Sequence, residues 1–298
     1  MESSFLSESR GDRWFNIINY TFMALLLIIV LYPVIFVVSS SFSNKDAVSA
    51  GQVLLWPVGF SLEGYQAVFR DPAVLRSIAV SIGYTVAGTL INVTLTIMAA
   101  YPLSRRDLWG RNWLMGVFAF TMFFSGGLIP TYLLVKNLDL LNTPWALLLP
   151  TALSIWNMVI TRTYFMATIP DELLEAGQID GCNDLIFLWK VVLPLSGPIT
   201  AVIALYYGVE HWNQYFNALL YLKEPKLYPL QLVLREILIR SQMSSEMMGD
   251  SAQMAEQAGL ANLLKYSLIV VATAPLMLVY PYVQRFFVRG VMIGALKG

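Results

Sequence analysis

Apolar stretches of bilayer length are the feature that most constrains this chain. A bilayer core about 30 Å thick is crossed by roughly 20 apolar residues in a helix. Six stretches of the 298-residue sequence meet that length, near residues 14–38, 77–101, 112–135, 145–165, 197–220 and 263–287. The sequence therefore predicts an all-α integral membrane protein, with residues 1–298 forming one transmembrane domain of six helices.

The composition narrows the class of function. The chain is 57% hydrophobic and 13% charged, and its 19 basic residues balance 19 acidic ones, so there is no basic excess for nucleic acid. A single cysteine, Cys182, leaves no internal disulfide, and a single histidine, His211, leaves no His-pair metal site. Neither glycine-rich nucleotide motif, G-x-x-x-x-G-K-[ST] or G-x-G-x-x-G, is present. We expect no catalytic residue, metal or cofactor in this chain, and any energy source to be bound by another subunit.

The loops predict an orientation. The short loop with Arg105, Arg106 and Arg111 is the best marker for the cytoplasmic side, because short loops follow the positive-inside rule most closely. Both termini are then cytoplasmic, and loops 41–76, 136–144 and 221–262 are external. The first span could instead be a signal peptide, but its apolar run is long and no clean A-x-A cleavage site follows it.

Loop 166–196, on the predicted cytoplasmic side, is unusually polar for this chain. Thr168 as a cap and Pro170 in the first turn predict a helix that ends near Asp180. Gly181 then supplies the left-handed residue that ends a helix. We call the segment 168–192 the elbow.

A second elbow helix, LIFLWKVVL, is predicted to follow, with Asn183 or Asp184 as its cap and Pro194 at its end. Gly177 costs about 1 kcal/mol relative to alanine inside a helix, so another group is expected to approach its backbone closely. The residues alone leave two interpretations open, a solvated helical loop and a functional elbow.

The elbow resembles a known motif. Its pattern is similar to the EAA loop of the membrane subunits of bacterial ATP-binding-cassette (ABC) importers, on the residues Glu175, Ala176, Gly177, Gly181, Leu193 and Pro194. Two positions depart from that motif, Gly177 for an alanine and Val191 for an isoleucine. The motif also lies in the expected loop, before the penultimate span.

Other stretches resemble the maltose-type carbohydrate permeases, most closely the subgroup of lipoprotein-and-polysaccharide uptake permeases. They include FFSGGLIPTYLLVKNLDLLNTPWALLLP, ALYYGVEHWNQYFNALLYL, YPLQLVLREIL and FFVRGVMIGALKG, and the resemblance covers nearly the whole chain. It implies a type I ABC importer architecture, in a bacterial cytoplasmic membrane, that carries an oligosaccharide by alternating access. A member of that subgroup imports alginate oligosaccharides, so a smaller alginate permease subunit is one expectation.

The resemblance also implies partners and functional residues. Partners would be a second, different permease, two ATPase subunits that bind ATP and Mg, and an extracytoplasmic substrate-binding protein, contacted by loop 221–262. The elbow would dock on the ATPase through Glu175, Ala176, Gly177, Asp180, Gly181, Leu193 and Pro194. The tail 288–298 would reach between the ATPases through Gly294, Ala295, Leu296, Lys297 and Gly298, or would serve only as a basic terminus that fixes topology.

The fifth span carries the richest polar cluster. Rings and amides suit sugars, so the candidate substrate path is Tyr207, Glu210, His211, Trp212, Asn213 and Tyr215. The alternative is that several of them bond neighbouring helices. The spans hold few basic residues, which argues against an acidic sugar. A proton-coupled secondary transporter that uses Glu210, His211 and Arg162 is the alternative function, but it leaves the elbow unexplained.

Overall fold

The computed structural model describes residues 10–246 and 252–290, and every regular element in those ranges is helical. The predicted all-α class is therefore confirmed. Three helices are long and apolar enough to cross a membrane by themselves, within α1 (Arg10–Ser41), α4 (Pro72–Ser104) and α15 (Ala252–Gly290). Asp71 caps α4 by accepting a hydrogen bond from the amide of Ala73.

Two further candidate spans are bent pairs of helices. Helices α5 (Arg111–Phe123) and α6 (Leu128–Asn137) meet at 110°, where Gly127 has a φ of +83°. The second elbow helix and α12 (Gly197–Trp212) meet at 84°. The described residues thus hold three single candidate spans, or five if each bent pair is one span, and the number six stays a prediction.

The helices depart from two of the predicted spans. In place of 145–165 the chain forms a single turn, α7 (Trp145–Leu148), and then α8 (Ile155–Thr168). Pro150 lies in the interruption, and Ser154 caps α8. In place of 197–220, α12 ends at Trp212 and α13 (Phe216–Tyr221) follows.

The remaining helices are short or lie outside the apolar stretches. They are α2 (Lys45–Ser49), α3 (Glu63–Arg70), α9 (Asp171–Ile179), α10 (Asp184–Phe187), α11 (Leu193–Leu195) and α14 (Leu230–Glu246). A π-helical turn, Leu188–Val192, joins α10 to α11, and a 3-10 turn, Pro225–Leu227, precedes α14.

The chain divides into two compact units. The first contains residues up to 70 together with 237–271, and the second contains 71–236 together with the residues from 272 onward. In the first unit, α3 packs so closely on α15 that a Cβ on Gly64 would overlap the side chain of Ser267. In the second unit, the core is formed by α4, α8, α12 and the elbow.

Small residues and buried hydroxyls join α4 to α12 in the second unit. The ring of His211 lies against Gly88, where no Cβ would fit. Tyr207 is fully buried and its hydroxyl lies 2.7 Å from that of Thr96, while it accepts a bond from the amide of Ser154. Close approach at small residues and hydrogen bonds between helices are typical of packing in membranes.

Candidate functional site

The first elbow helix starts two residues later than the sequence suggests. The prediction that Thr168 caps the first elbow helix is wrong, because Thr168 is the last residue of α8. Pro170 occupies the position before α9 and makes no side-chain cap. Asp171 and Glu172 lie in the first turn of α9, where the helix dipole favours carboxylates.

The turn after α9 is a Schellman motif. Gly181 has a φ of +77°, as the sequence predicts. The amide of Gly181 donates to the carbonyl of Gln178 (3.0 Å), and that of Cys182 donates to the carbonyl of Gly177 (2.9 Å). These two bonds satisfy carbonyls at the end of α9 and fix the direction in which the chain leaves it.

The second limb of the elbow is anchored in the core of its unit. Asn183, rather than Asp184, caps it by accepting a bond from the amide of Ile186 (2.8 Å). Phe187 is 2% exposed and packs with residues of α4, α8 and α12, as do Leu188 and Val192. The elbow is therefore attached rigidly to three helices of the bundle.

Gly177 has an internal partner. A Cβ at this position would lie 2.9 Å from Cδ2 and 3.2 Å from Cε2 of Phe187. The close approach that the sequence predicts is thus made by the second limb of the elbow. Glycine at this position lets the two limbs pack directly on each other.

Arg105, at the end of α4, holds the second limb. Its guanidinium makes two bonds to the carboxylate of Asp107 (2.9 and 2.8 Å), one to the hydroxyl of Tyr101 (3.1 Å) and one to Asp184 (3.4 Å). The bonds to Asp107 raise the pKa of Arg105 above its usual value and lower that of Asp107 below its own.

Arg106 makes a looser contact with the first limb. Its Nε lies 3.3 Å from the carboxylate of Asp171, and its side chain is 77% exposed, against 12% for Arg105. In the sequence alone, both arginines indicate only the orientation of the chain. The two arginines lie more than 60 residues before the elbow in the sequence, so no local pattern predicts their contacts with it. Asp171 and Asp184 are each the first residue of an elbow helix, and their carboxylates are groups that a cation can bind.

One face of α9 is exposed among the residues that the structure describes. Glu175 and Ala176 are exposed, as is Asp180, and Ile179 is 87% exposed. Leu174 instead packs on the core.

The other predicted coupling residues differ in their surroundings. Leu193 packs partly on the core, whereas Pro194 is exposed. Between α9 and the end of α4 lies a polar cavity of about 370 Å³, lined by Arg105, Arg106 and Glu172 among others. The predicted tail residues, Gly294 to Gly298, lie outside the described residues.

The predicted substrate path is split by burial. Tyr207, His211 and Trp212 are buried inside the second unit. Trp212 donates from its ring to the carbonyl of Ala272 (2.8 Å). Tyr207 and Trp212 bond neighbouring segments and the ring of His211 lies against Gly88, while the role of these three residues in a substrate path stays a prediction.

The other three path residues are exposed and have neighbours that the sequence analysis missed. Asn213 accepts a bond from Gln231 of α14 (3.4 Å), and the guanidinium of Arg235 lies 5.9 Å from the ring of Tyr215. Together with Glu210 they form a polar patch, which we define as Glu210, Asn213, Tyr215, Gln231 and Arg235. Beside it, α12 and α13 border a cavity of about 180 Å³.

The described ranges contain no group of three His, Cys, Asp or Glu side chains placed to hold a metal ion. The polar patch offers a ring, amides and one cation, and the elbow offers an exposed helix on a rigid base. Both arrangements are of kinds that bind other molecules.

Comparison with known proteins gives close relatives over the whole chain. The polygalacturonan/rhamnogalacturonan transport system permease protein YtcP of Bacillus subtilis (strain 168) is 43% identical over 96% of this chain and 99% of its own. Protein LplC of the same strain is 40% identical over 98% of both. The arabinooligosaccharides transport system permease protein AraQ of Halalkalibacterium halodurans is 24% identical over 96% of both.

A solved structure agrees. The crystal structure of a bacterial ABC transporter involved in the import of the acidic polysaccharide alginate contains a chain that matches with a TM-score of 0.85 at 33% identity. The match covers 94% of this chain and 99% of that one. The family model described as "Binding-protein-dependent transport system inner membrane component" matches residues 92–293. The chain therefore belongs to this family of inner membrane components, and it is a membrane-spanning subunit of an ABC importer.

Proposed function

We propose that this subunit carries oligosaccharides derived from acidic polysaccharides, and that the elbow transmits the motion of the ATPase subunits to its helices. The exposed face of α9 is the observation that carries the coupling role. Glu175 and Ile179 are exposed there, while Phe187 and Leu174 fix the elbow to the helical core. A surface fixed to three helices can move them as a rigid body when its partner moves.

In this proposal, Glu175 pairs with a basic group of the ATPase and Ile179 enters an apolar part of its cleft. Asp180 and Gly181 form the turn that shapes the tip, and Gly177 keeps the limbs together. ATP and Mg are bound by the partner subunits. The tail through Gly294–Gly298 adds a second contact with the ATPases.

The assembly follows from family membership only in outline. Importers of this kind work with a second permease, ATPase subunits and a substrate-binding protein. We propose that the second permease is a different chain, and that external loop 221–262 contacts the binding protein.

The polar patch supports an acidic substrate. One relative is named for the transport of polygalacturonan/rhamnogalacturonan, and the similar solved structure is of a transporter involved in the import of the acidic polysaccharide alginate. Few basic residues in the spans argue against such a sugar, but α14 brings Arg235 to the ring of Tyr215 from outside the predicted spans. A cation beside an aromatic face can bind a carboxylate while the ring stacks on the sugar.

The first experiment is a purification of the tagged chain at native expression level, with its partners identified by mass spectrometry. An ATPase and a second permease should accompany it. With the binding protein added, oligogalacturonates should stimulate ATP hydrolysis more than neutral oligosaccharides of equal length. Equal stimulation by both would contradict the acidic substrate and leave the coupling role standing.

The proton-coupled alternative is tested separately. Uptake should survive an uncoupler of the proton gradient and stop on ATP depletion. The opposite result would favour a secondary transporter.

A further inference from the structure

The segment after α1 exposes a large apolar surface without charges. From residue 47 to 62 the sequence AVSAGQVLLWPVGFSL contains no Asp, Glu, Lys or Arg. The structure buries Val53 but leaves the larger neighbours exposed, namely Leu54, Leu55, Trp56, Phe60 and Leu62. Trp56 is 80% exposed. We call residues 54–62 the apolar loop.

The apolar loop folds back against the end of α1. The hydroxyl of Ser39 donates to the carbonyl of Leu55 (2.7 Å), and the amide of Val58 donates to the hydroxyl of Ser43 (3.0 Å). The amide of Asn44 donates to the carbonyl of Val58 (3.0 Å). These bonds use polar atoms of the loop backbone internally, which is a condition for contact with lipid.

The fold-back fixes the depth of the loop. Ser39 lies two residues before the last residue of α1, Ser41, and each helical residue rises 1.5 Å, so the carbonyl of Leu55 lies about 3 Å inside the helix end. The candidate span Gly11–Ser41 shows none of its apolar window buried within the chain. The loop therefore lies level with the last turn of α1, whose serines Ser39, Ser40 and Ser41 are buried, and directly beyond the exposed apolar part of the helix.

Aromatic contacts hold the loop in this position. The rings of Phe42 and Phe60 stack at 5.8 Å with an interplanar angle of 6°, and Phe42 also contacts Tyr65 at 5.0 Å. Gly59 has a φ of +63° and packs on Asn44, which makes the turn between Trp56 and Phe60. The loop is thus a built structure with its large apolar side chains directed outward.

We propose that the apolar loop is an interfacial anchor that inserts into the lipid at the carboxyl end of α1. Tryptophan favours the membrane interface, because its apolar ring contacts lipid while its ring N–H can bond to water or headgroups. The apolar loop is uncharged and lies at the end of a candidate span, as a segment at the membrane interface would. A soluble binding protein or a partner permease would be different occupants, and the test separates them. The inference does not rest on the proposed substrate or on the coupling role.

The test places one fluorescent label on the loop of the complete transporter. Cys182 is the only cysteine of this chain, so Trp56→Cys in a Cys182→Ser background gives one labelling site in this subunit, with partner cysteines replaced. An environment-sensitive dye is attached there, and the complex is placed in lipid nanodiscs. Quenchers are lipids with a nitroxide at the headgroup or deep in the acyl chain, and aqueous iodide. Leu27→Cys in α1 is the deep control, and Gln66→Cys, exposed on the polar face of α3, is the aqueous control.

We expect the headgroup nitroxide to quench the label at position 56 at least about threefold more than the label at Gln66→Cys. Aqueous iodide should quench the label at Gln66→Cys more than the label at position 56. Leu27→Cys should respond most to the deep nitroxide. Strong iodide quenching without lipid quenching at position 56 would overturn the proposal in favour of water or a docked binding protein. Protection from all quenchers would overturn it in favour of another membrane subunit.

A second labelling site guards against a variant that fails to fold. Leu62→Cys, at an exposed position that leaves the stacking of Phe42 on Phe60 intact, should show the same lipid response from the other end of the loop. Trp56→Phe should also lower the quenching of intrinsic tryptophan emission by brominated lipids. No decrease in that quenching would contradict the anchor.

Discussion

The elbow and the polar patch differ in how their parts are brought together. The elbow is one continuous segment, in which the caps, the glycine turn and the limb contacts lie within a few residues of one another. The patch joins Glu210 and Asn213 at the end of α12 to Gln231 and Arg235 of α14. A contiguous element carries its own signals, whereas an assembled surface depends on how helices pack.

Gly181→Val is expected to have the largest effect and tests whether the elbow works as one rigid element. Valine is strongly disfavoured at φ +77°, although there is open space around Gly181. ATP-dependent uptake by the complete complex in proteoliposomes should be abolished, with insertion of the subunit unchanged. Gly181→Asn is the matched control, because asparagine enters the left-handed region more readily, and it should keep most of the uptake. Normal uptake by the valine variant would rule out the lever.

Arg105→Gln tests whether the elbow also depends on a distant residue. Loss of the bonds to Asp184 and Asp107 should lower uptake about tenfold while ATP hydrolysis continues, because charge-assisted bonds to a partly buried group are strong. Arg106→Gln is the control, since its exposed contact with Asp171 contributes little. Equal effects of the two variants would show that total loop charge, and not the geometry at Arg105, supports coupling.

The sequence predicts what is local in both regions. A cap at Asn183 or Asp184 and a left-handed residue at Gly181 follow from residue type, and the structure has Asn183 as the cap and Gly181 with a positive φ. Thr168 does not cap the elbow because it is the last residue of α8. No local sequence pattern predicts that α8 continues to this position. The polar cluster of the fifth span looks uniform in sequence, yet Tyr207 faces α4 while Tyr215 faces outward.

Residues far apart in sequence were missed in both regions. Arg105 reaches Asp184 and Arg235 reaches Tyr215 only after the helices have packed. The bends were predictable in part: glycine indicates the break at Gly127, but nothing local indicates that α12 ends at Trp212. Apolar length alone therefore identifies candidate spans without showing which are continuous.

Arg235→Gln tests the role of the patch in substrate choice. The apparent affinity for oligogalacturonates in the ATPase assay should fall about fivefold, the equivalent of about 1 kcal/mol for a lost charge-assisted bond at an accessible site. Neutral oligosaccharides should be unaffected. Lys226→Gln, in the exposed turn before α14, controls for general loss of charge. A similar loss for neutral sugars would make Arg235 a structural residue.

Gly177→Ala tests the contact between the two limbs. Alanine gains about 1 kcal/mol of helix propensity over glycine, but its Cβ would lie 2.9 Å from Phe187, and overpacking typically costs about 1–3 kcal/mol. The Tm of the complex should fall in the wild-type background and rise when the same change is made in Phe187→Leu. Additive effects in this double-mutant cycle would mean that the two residues do not share the contact.

The pH dependence of the Arg105–Asp107 pair should give the smallest effect and separates a permanent brace from a switch. Because the pair lowers the pKa of Asp107 below its usual 3.8, the stabilisation is present above that value and is lost only as pH falls through the lower pKa of the folded state. The difference in Tm between the wild type and Asp107→Asn should thus stay constant from pH 8 to pH 5 and shrink only in stronger acid. A change between pH 7 and pH 5 would show that the brace is released under physiological conditions, and the elbow would then be regulated by pH as well as driven by its ATPase.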